Sequence, residues 1–377
     1  MTILVVTPRY SPYVGGIETL MLELLPALRD RGRDLVVVTG VDEKQGRFDV
    51  VDGIPVHRLP FAKALRSSDP GAMFDVMRRL RAIESEHDVH LRHLHGLDLP
   101  THWFTWREHR RRPLPFVVSV HGTLEELPWV QSAHRMLRDA DVVTAVSEAV
   151  RAAVERDVDG LRGPVAVIPN GLRPPEADGL HSDPVPGALL LAGRIDTTKG
   201  FDVAIEALAV LRASHPHSRV RIAGAGFEEA ALRRRCRELD LGDRVAFLGY
   251  LHRPAMLAEM QRAQAVLVPS RDTEGFGLVA LEAAHMGRPV IASRVGGLPE
   301  VVRDGETGTI VDSDDPVALA AAIAALLDDP ERAAAMGQRA QEVAMEYDLD
   351  VCADRYDALY GSLEDARARG VLAGSGG

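Results

Sequence analysis

Cysteine is nearly absent from this chain of 377 residues: Cys236 and Cys352 are its only two, and they form no CxxC pair. That leaves no basis for a disulfide framework or a structural zinc site. Long apolar runs are missing too, since none approaches the roughly 18–20 residues that a membrane-spanning helix needs. The opening segment, Met1-Thr2-Ile3-Leu4-Val5-Val6-Thr7, lacks the basic flank and long apolar core of a signal peptide and reads as a first strand. The expected compartment is the cytoplasm. An excess of positive charge is also lacking. The 44 Lys+Arg against 55 Asp+Glu leave a net charge of −11, which argues against a nucleic-acid partner. No dinucleotide fingerprint of the GxGxxG type follows the first strand, so a dehydrogenase is disfavoured.

What is present is ordinary for a globular protein, with 46% hydrophobic and 26% charged residues. The length is too great for one compact core of common size, so two domains are expected. Charge is divided unevenly between them. Residues 1–172 carry 22 Lys+Arg and 23 Asp+Glu, whereas residues 173–377 carry 22 and 32.

Apolar runs at residues 3–7, 35–39, 55–59, 90–95, 116–120, 142–146 and 165–168 predict strands. Leu20, Leu24 and Leu28 give residues 19–31 helical spacing. Strands rich in Val, Ile and Leu without clean alternation indicate a parallel sheet covered on both faces. Residues 173–187 break the pattern with Pro174, Pro175, Gly179, Pro184, Pro186 and Gly187, and read as a linker. Alternation then resumes, with strands at 188–192, 219–223, 245–248, 265–269, 289–293 and 308–311. Helices are expected at 202–214, 228–239, 253–263 and 278–286, and the chain from Pro316 to about Tyr360 reads as helical. The fold class is therefore α/β with two doubly wound, Rossmann-like halves, whose ligand sites are expected at the C-terminal strand edges. The boundaries are a first domain over 1–172, a linker over 173–187 and a second domain over 188–345. A helix over 346–362 and a disordered tail over 363–377 follow.

The most informative segment is Glu274-Gly275-Phe276-Gly277-Leu278-Val279-Ala280-Leu281-Glu282. Gly275 and Gly277 let the backbone approach a ligand, and a helix beginning near Gly277 points its amides at whatever sits there. Glu282 lies about one turn into that helix and can face the same side as Glu274. A carboxylate suits two adjacent sugar hydroxyls. The plainer reading is a loop Glu and a surface Glu beside a helix dipole.

A second segment is Gly193-Arg194-Ile195-Asp196-Thr197-Thr198-Lys199-Gly200. Arg194 and Lys199 on one strand–helix loop offer a planar fork and a mobile point charge to a departing diphosphate. Gly15-Gly16 after the first strand, Gly224-Ala225-Gly226, and His121-Gly122-Thr123 all follow strand ends. A turn glycine and a structural histidine remain the plain alternatives for them.

Taken together, these segments resemble the retaining GT-B glycosyltransferases, specifically glycosyltransferase family 4 (glycosyl transferases group 1). Glu274 and Glu282 match the family's Glu-x7-Glu signature. Residues 283–293 and Gly296-Gly297-Leu298-Pro299-Glu300-Val301-Val302 continue its pattern, and Gly193-Arg194-x4-Lys199-Gly200 is similar to its pyrophosphate-binding loop. Val146-Ser147-Glu148 and Ile168-Pro169-Asn170-Gly171 look like its first-domain landmarks. An Asp often follows two residues after that last Gly; here Leu172-Arg173 stand instead.

The resemblance implies that Glu274 holds donor-sugar hydroxyls and Glu282 the ribose hydroxyls. The amides of Phe276 to Leu278 would approach sugar and diphosphate, with Arg194 and Lys199 on the leaving group and Gly224 on the donor-side loop. Gly15 and Gly16 would face the phosphates and the acceptor, and His121 the donor sugar near the reacting centre. It also implies two domains facing across a cleft, an acceptor-side first domain and a last helix crossing back to it. The implied reaction moves a hexose-type sugar, with retention, from a nucleotide-diphosphate sugar to a hydroxyl of a small molecule, lipid or saccharide. A UDP-sugar comes first and GDP-mannose is the competitor. By the same resemblance no metal and no other cofactor are expected. A nucleotide-sugar epimerase or hydrolase, or a non-catalytic nucleotide-sugar-binding subunit, are the alternatives.

Other signals read as structural. His87, His90, His93 and His95 are dense, but the period of two in a strand separates them and no Cys or carboxylate partner is evident. Arg107, Arg110, Arg111 and Arg112 end a helix where the dipole favours cations, with an acidic acceptor or membrane surface as the alternative. Arg78-Arg79-Leu80-Arg81 reads either as a solvated face or as a peripheral contact with the inner membrane face. Oligomeric state is left open.

Overall fold

The computed structural model describes the chain except residues 14, 42–45, 123, 125–127, 176–182, 273 and 371–377. Part of the expected linker, part of the expected tail, and Thr123 thus lie outside the described residues. The chain divides into two compact units, one of Met1–Arg173 with Leu349–Gly377 and one of Pro174–Asp348.

In the first unit the chain runs β1 (Thr2–Thr7), α1 (Gly16–Asp30), β2 (Asp34–Gly40), β3 (Phe48–Val51) and β4 (Ile54–Leu59). It continues through α2 (Phe61–Ser67), α3 (Pro70–Glu86), β5 (Val89–His95), α4 (Leu99–Arg111), β6 (Phe116–Val120) and α5 (Val130–Asp139). The segment closes with β7 (Val142–Ala145), α6 (Glu148–Asp157) and β8 (Ala166–Val167), the last shorter than the expected strand at 165–168. The sheet order is β3-β4-β2-β1-β5-β6-β7-β8. Among the described residues only β3 is antiparallel, paired with β4 through a turn at Asp52-Gly53 where both residues have positive φ. The apolar strands are buried because helices cover both faces, and the spaced leucines of α1, Leu20, Leu24 and Leu28, are fully buried.

The second unit runs β9 (Ala188–Ala192), α7 (Phe201–Val210), β10 (Arg219–Ala223), α8 (Glu229–Glu238), β11 (Val245–Gly249), α9 (Arg253–Arg262) and β12 (Ala265–Val268). Then follow α10 (Leu278–His285), β13 (Val290–Ser293), α11 (Leu298–Val301), β14 (Gly308–Val311), α12 (Pro316–Asp328) and α13 (Pro330–Ala344). Among its described residues six strands, all parallel, stand in the order β11-β10-β9-β12-β13-β14. Leu189 and Leu191 of β9 pack with Phe201, Ile205, Leu208, Ile222 and Ile323 in its core. Because β9 has β10 on one side and β12 on the other, successive connections leave it in opposite directions. That reversal opens a crevice at the carboxyl ends of β9 and β12.

The last helix, α14 (Leu349–Ala368), belongs to the first unit. Leu349, Tyr356, Tyr360 and Leu363 share a core with Ile3, Val5, Leu24 and Val37. Arg31 pairs with Asp350 and Asp354 at 3.1 and 2.8 Å, and Arg33 with Asp357 and Glu364 at 2.5 and 2.7 Å. The helix runs past residue 362, so the tail expected from residue 363 begins inside it. Burial of Leu363 and the Arg33–Glu364 pair are the reason.

Candidate active site

The loop after β9 is anchored at both ends by the buried side chains of Ile195 and Phe201, which leaves the polar residues between them at the sheet edge. Asp196 organises it. Its carboxylate accepts from the Thr198 amide at 3.1 Å, the Thr198 hydroxyl at 2.5 Å and Arg194 Nε at 2.5 Å. Burial pushes the Asp196 carboxyl up, but those hydrogen bonds more than offset it and hold the group below the usual carboxylate range. A 3-10 turn at Thr197–Lys199 then delivers Lys199 toward β12. Arg194 is mostly exposed, so its guanidinium is oriented by Asp196 while staying open to a ligand.

The loop after β12 meets it. Lys199 Nζ lies 2.7 Å from Glu274 Oε2, and the Ser270 hydroxyl donates to the same oxygen at 3.2 Å. Arg271 ties the two loops together, forking onto Asp202 at 2.8 and 2.7 Å and donating to the Thr197 carbonyl at 2.8 Å. Glu274 is fixed from below as well, because its carbonyl accepts from the Gly297 amide at 3.0 Å. Gly296 makes that approach possible: its φ is +51°, and a Cβ there would overlap the Glu274 carbonyl oxygen. On the other flank Gly224 (φ +153°) lets the loops after β9 and β10 stack backbone on backbone. A Cβ there would overlap the Gly193 carbonyl oxygen, and Gly193 and Ile195 amides donate to Ala223 and Ala225 at 3.0 Å each.

Gly275, Phe276 and Gly277 lead into α10. Phe276 is buried edge-on against Tyr347, with ring centroids 5.4 Å apart, so this aromatic anchors the loop through its side chain and leaves its amide to the site. Gly277 caps α10 without a side chain; its carbonyl accepts from the Ala280 and Leu281 amides at 2.9 and 3.1 Å, which leaves the leading amides, Leu278 and Val279, without an acceptor inside the helix. Glu282 sits one turn in and is half-buried. Burial pushes its carboxyl up to about 7, against a smaller opposing pull from Arg253.

In the first unit, Gly15 and Gly16 follow β1 at the start of α1, which has no side-chain cap and carries Glu18 in its first turn. Gly15 has extended backbone (φ −171°), so this position does not require glycine's left-handed freedom. His121 follows β6 and is half-buried, with Nε2 3.2 Å from Nδ1 of His95, the last residue of β5. Burial holds His121 down at about 4, and burial with neighbouring His93 and His121 holds His95 well below the ordinary imidazole range.

Sequence reasoning assigned no site role to His95, Asp196, Ser270, Arg271 or Gly296. The visible signal for His95 was its place at a strand's carboxyl end, on the same face as His93. The ring nitrogens of His93 are taken up by Tyr360 and Ser119, and His57 meets His87 at 2.9 Å. Arg107 and Arg110 lie over the rings of Trp103 and Trp106. Leu80 is buried, Arg78 pairs with Asp75, and Arg81 pairs with the buried Glu108. Among the described residues no helix is long and apolar enough to cross a membrane.

Residues 14–174 match the family model described as Glycosyltransferase Family 4, and residues 181–343 match that of Glycosyl transferases group 1. A GDP-mannose-dependent alpha-(1-6)-phosphatidylinositol monomannoside mannosyltransferase of Mycolicibacterium smegmatis is 31% identical over 91% of this chain and 94% of its own. A glycogen synthase of Mycobacterium tuberculosis is 29% identical over 96% and 94%. Sucrose-phosphate synthase from Thermosynechococcus elongatus superposes with a TM-score of 0.81 at 24% identity, covering 97% of this chain and 99% of that one. Anabaena HepE in complex with UDP-glucose gives 0.78 at 22% identity, covering 96% and 100%. Two parallel Rossmann-like sheets, the loop contacts at the β9–β12 crevice and these matches lead to one statement: the chain belongs to the GT-B glycosyltransferases of family 4, and it is a glycosyltransferase.

Proposed function

We propose that the chain transfers a hexose-type sugar from a nucleoside-diphosphate sugar to an acceptor hydroxyl, with retention of configuration and without a divalent metal. The observation that carries this reading is the 2.7 Å contact of Lys199 with Glu274 at the crevice between β9 and β12, with the Asp196-oriented Arg194 on the same loop. A cation and a carboxylate held together are suited to a substrate that is anionic at one end and rich in hydroxyls at the other.

Each residue has a role in this scheme. Glu274 accepts from sugar hydroxyls and Glu282 from the ribose. Arg194, Lys199 and the amides at the start of α10, beside Gly275, Phe276 and Gly277, meet the diphosphate. As the bond from the anomeric carbon to the diphosphate oxygen breaks, its electron pair passes to that oxygen, and the two cations stabilise the charge. The acceptor oxygen bonds to the same face of the sugar, and its proton passes to the departing diphosphate. The protein supplies orientation and charge rather than a base of its own. A UDP-sugar is taken as the first donor and GDP-mannose as its competitor, since the fold neighbour HepE is seen with UDP-glucose and the mannosyltransferase relative is GDP-mannose-dependent.

Thermal stabilisation by a panel of nucleoside diphosphates and their sugars tests the reading, with Lys199→Ala as the control. Selective stabilisation by one nucleotide, lost in the variant, is expected. No stabilisation by any member would overturn it.

A further inference from the structure

The loop after β12 carries Glu274 and, shortly before it, Arg271, whose guanidinium is engaged at every nitrogen. Nη1 and Nη2 fork onto the Asp202 carboxylate at 2.8 and 2.7 Å, Nη1 also donates to the Thr197 carbonyl at 2.8 Å, and Nε donates to Asp314. The Arg271 amide donates to the Thr198 carbonyl at 2.8 Å. Asp202 stands in the first turn of α7, and Asp314 follows β14 with a φ of +56°. One side chain, 26% exposed, thus joins the Lys199 turn, the start of α7 and the loop after β14.

The grip falls immediately before Lys199. The carbonyls of Thr197 and Thr198 are the two that precede it, and Arg271 takes one with its side chain and the other with its backbone. On the far side of Lys199 stands Gly200, in left-handed backbone (φ +62°), where a Cβ would overlap the Pro269 carbonyl oxygen. The Lys199 backbone is therefore clamped against the end of β12 from both sides. Its side chain is a flexible stem, and a single ion pair near the surface holds such a stem weakly. What keeps Nζ at 2.7 Å from Glu274 Oε2 is the place of its root relative to Glu274. Arg271 and Glu274 lie on one loop, so the grip at Arg271 fixes the distance that Lys199 has to span. Asp202 and Asp314 approach the guanidinium from different segments, so its plane cannot turn about one pair alone.

We propose that Arg271 is a positioning residue: it sets where the Lys199 ammonium stands, and Asp202 and Asp314 brace the guanidinium that does so. Arg271 acts through Lys199 and not on the substrate. Only what Lys199 meets there, the departing diphosphate, rests on the sugar-transfer reading. A plain structural staple would make the same contacts, but its loss would slow the reaction equally whether or not Lys199 is present. A positioning residue loses its effect once the group it places is gone.

A double-mutant cycle tests this, read as nucleotide release from UDP-glucose and GDP-mannose. Arg271→Met should lower kcat about 10²-fold, the effect of misplacing a group at a reacting centre, with donor KM little changed. In a Lys199→Ala background the same replacement should lower it no more than about twofold, the usual error of additivity. A second readout needs no turnover. Lys44 and Lys63 are the only other lysines of the chain, so trace acetylation by acetic anhydride, followed by peptide mass spectrometry, reports each ammonium separately. Against the exposed Lys63, Lys199 should react slowly in the wild type and about fivefold faster in Arg271→Met, as its hold on Glu274 loosens. Equal losses of rate in both backgrounds, or a Lys199-to-Lys63 ratio unchanged by Arg271→Met, would overturn the proposal. Arg271→Lys keeps a charge between Asp202 and Asp314 but cannot fork. If Arg271→Met does not fold, Arg271→Lys takes its place in both measurements with the same outcomes. A wild type that releases no nucleotide from either donor would sink the sugar-transfer reading, while the acetylation ratio would still decide the role of Arg271.

Discussion

Replacing Glu282 by glutamine should have two effects of opposite sign. Its carboxyl ionises near 7 in the folded chain, against 4.5 for an unperturbed glutamate, because burial disfavours the charged form. The folded state therefore holds this proton more tightly than the unfolded state. Stability from that preference is fully present below about pH 4.5 and is lost as the pH rises through 7, a change of about 3 kcal/mol in all. Glu282→Gln keeps the shape and cannot ionise, so without ligand the variant should exceed the wild type by up to about 3 kcal/mol at pH 8. For a unit of this size that is a melting temperature higher by about 6–12 °C. At pH 5 the gap should nearly close.

Nucleotide binding should move the other way. A carboxylate that accepts from ribose hydroxyls loses about 1.5–3 kcal/mol when its charge is removed, or about 10–100-fold in affinity. In the wild type, only about a tenth of the sites are ionised at pH 6, so affinity for a nucleoside diphosphate should rise about tenfold between pH 6 and 8. Melting curves and calorimetric titrations at pH 5, 6 and 8 measure both effects. Equal melting differences at pH 5 and pH 8, or a variant that binds nucleotide as tightly as the wild type, would refute the reasoning.

Lys199→Ala should lower kcat by about 10²–10³-fold, the usual loss when one stabiliser of developing charge is removed, while Glu282→Ala chiefly raises the donor dissociation constant. Steady-state rates with binding titrations separate the two, and unchanged kinetics in both variants would remove the site assignment. Gly296→Ala and Gly224→Ala should each destabilise the second unit by about 2–4 kcal/mol, from a strained left-handed backbone plus overlap with a carbonyl oxygen, as read by denaturant unfolding. Turnover should be unaffected by a chelator, and loss with EDTA that manganese restores would contradict the metal-free mechanism.

Legibility from sequence followed physical distinctiveness. The run Ala188 to Ala192 could only be a buried strand, and the structure has β9 over those residues. Strand β3 was missed because Phe48 and Val50 face solvent on an edge, 56% and 54% exposed, so burial wrote no pattern there. Its turn, Asp52-Gly53, was the available cue. Helices α2 and α3 were also missed, although Asp69, whose side chain accepts from the Gly71 amide at 2.9 Å, with Pro70 at the first helical position is a start signal. At the site, Lys199 and Glu274 stood out by type and spacing, but their contact spans 75 residues of sequence and no local rule announces it. Gly296 was noticed as part of a pattern; that it exists to let a carbonyl pass is a fact of packing. His95 reads as a strand histidine, which is true, and its partner just beyond the end of the next strand is a matter of register.

The place of α14 in the fold bears on how the protein is made. The first unit has most of its sheet once Val167 is synthesised, yet Tyr356, Tyr360 and Leu363 fill its core from beyond the second unit. Ribosomes add about 5–20 residues per second, so the 175 residues of Pro174–Asp348 separate those events by roughly 10–35 s. During that interval the nascent first unit carries an uncovered apolar groove beside α1 and an unmatched His93 Nδ1. The second unit has no such debt to the C-terminal helix, since its strands, helices and glycine-shaped loops all lie within one stretch. It can complete its core first, and the order of maturation then runs opposite to the order of synthesis, with a chaperone-sized window of exposure on the half that was translated earlier.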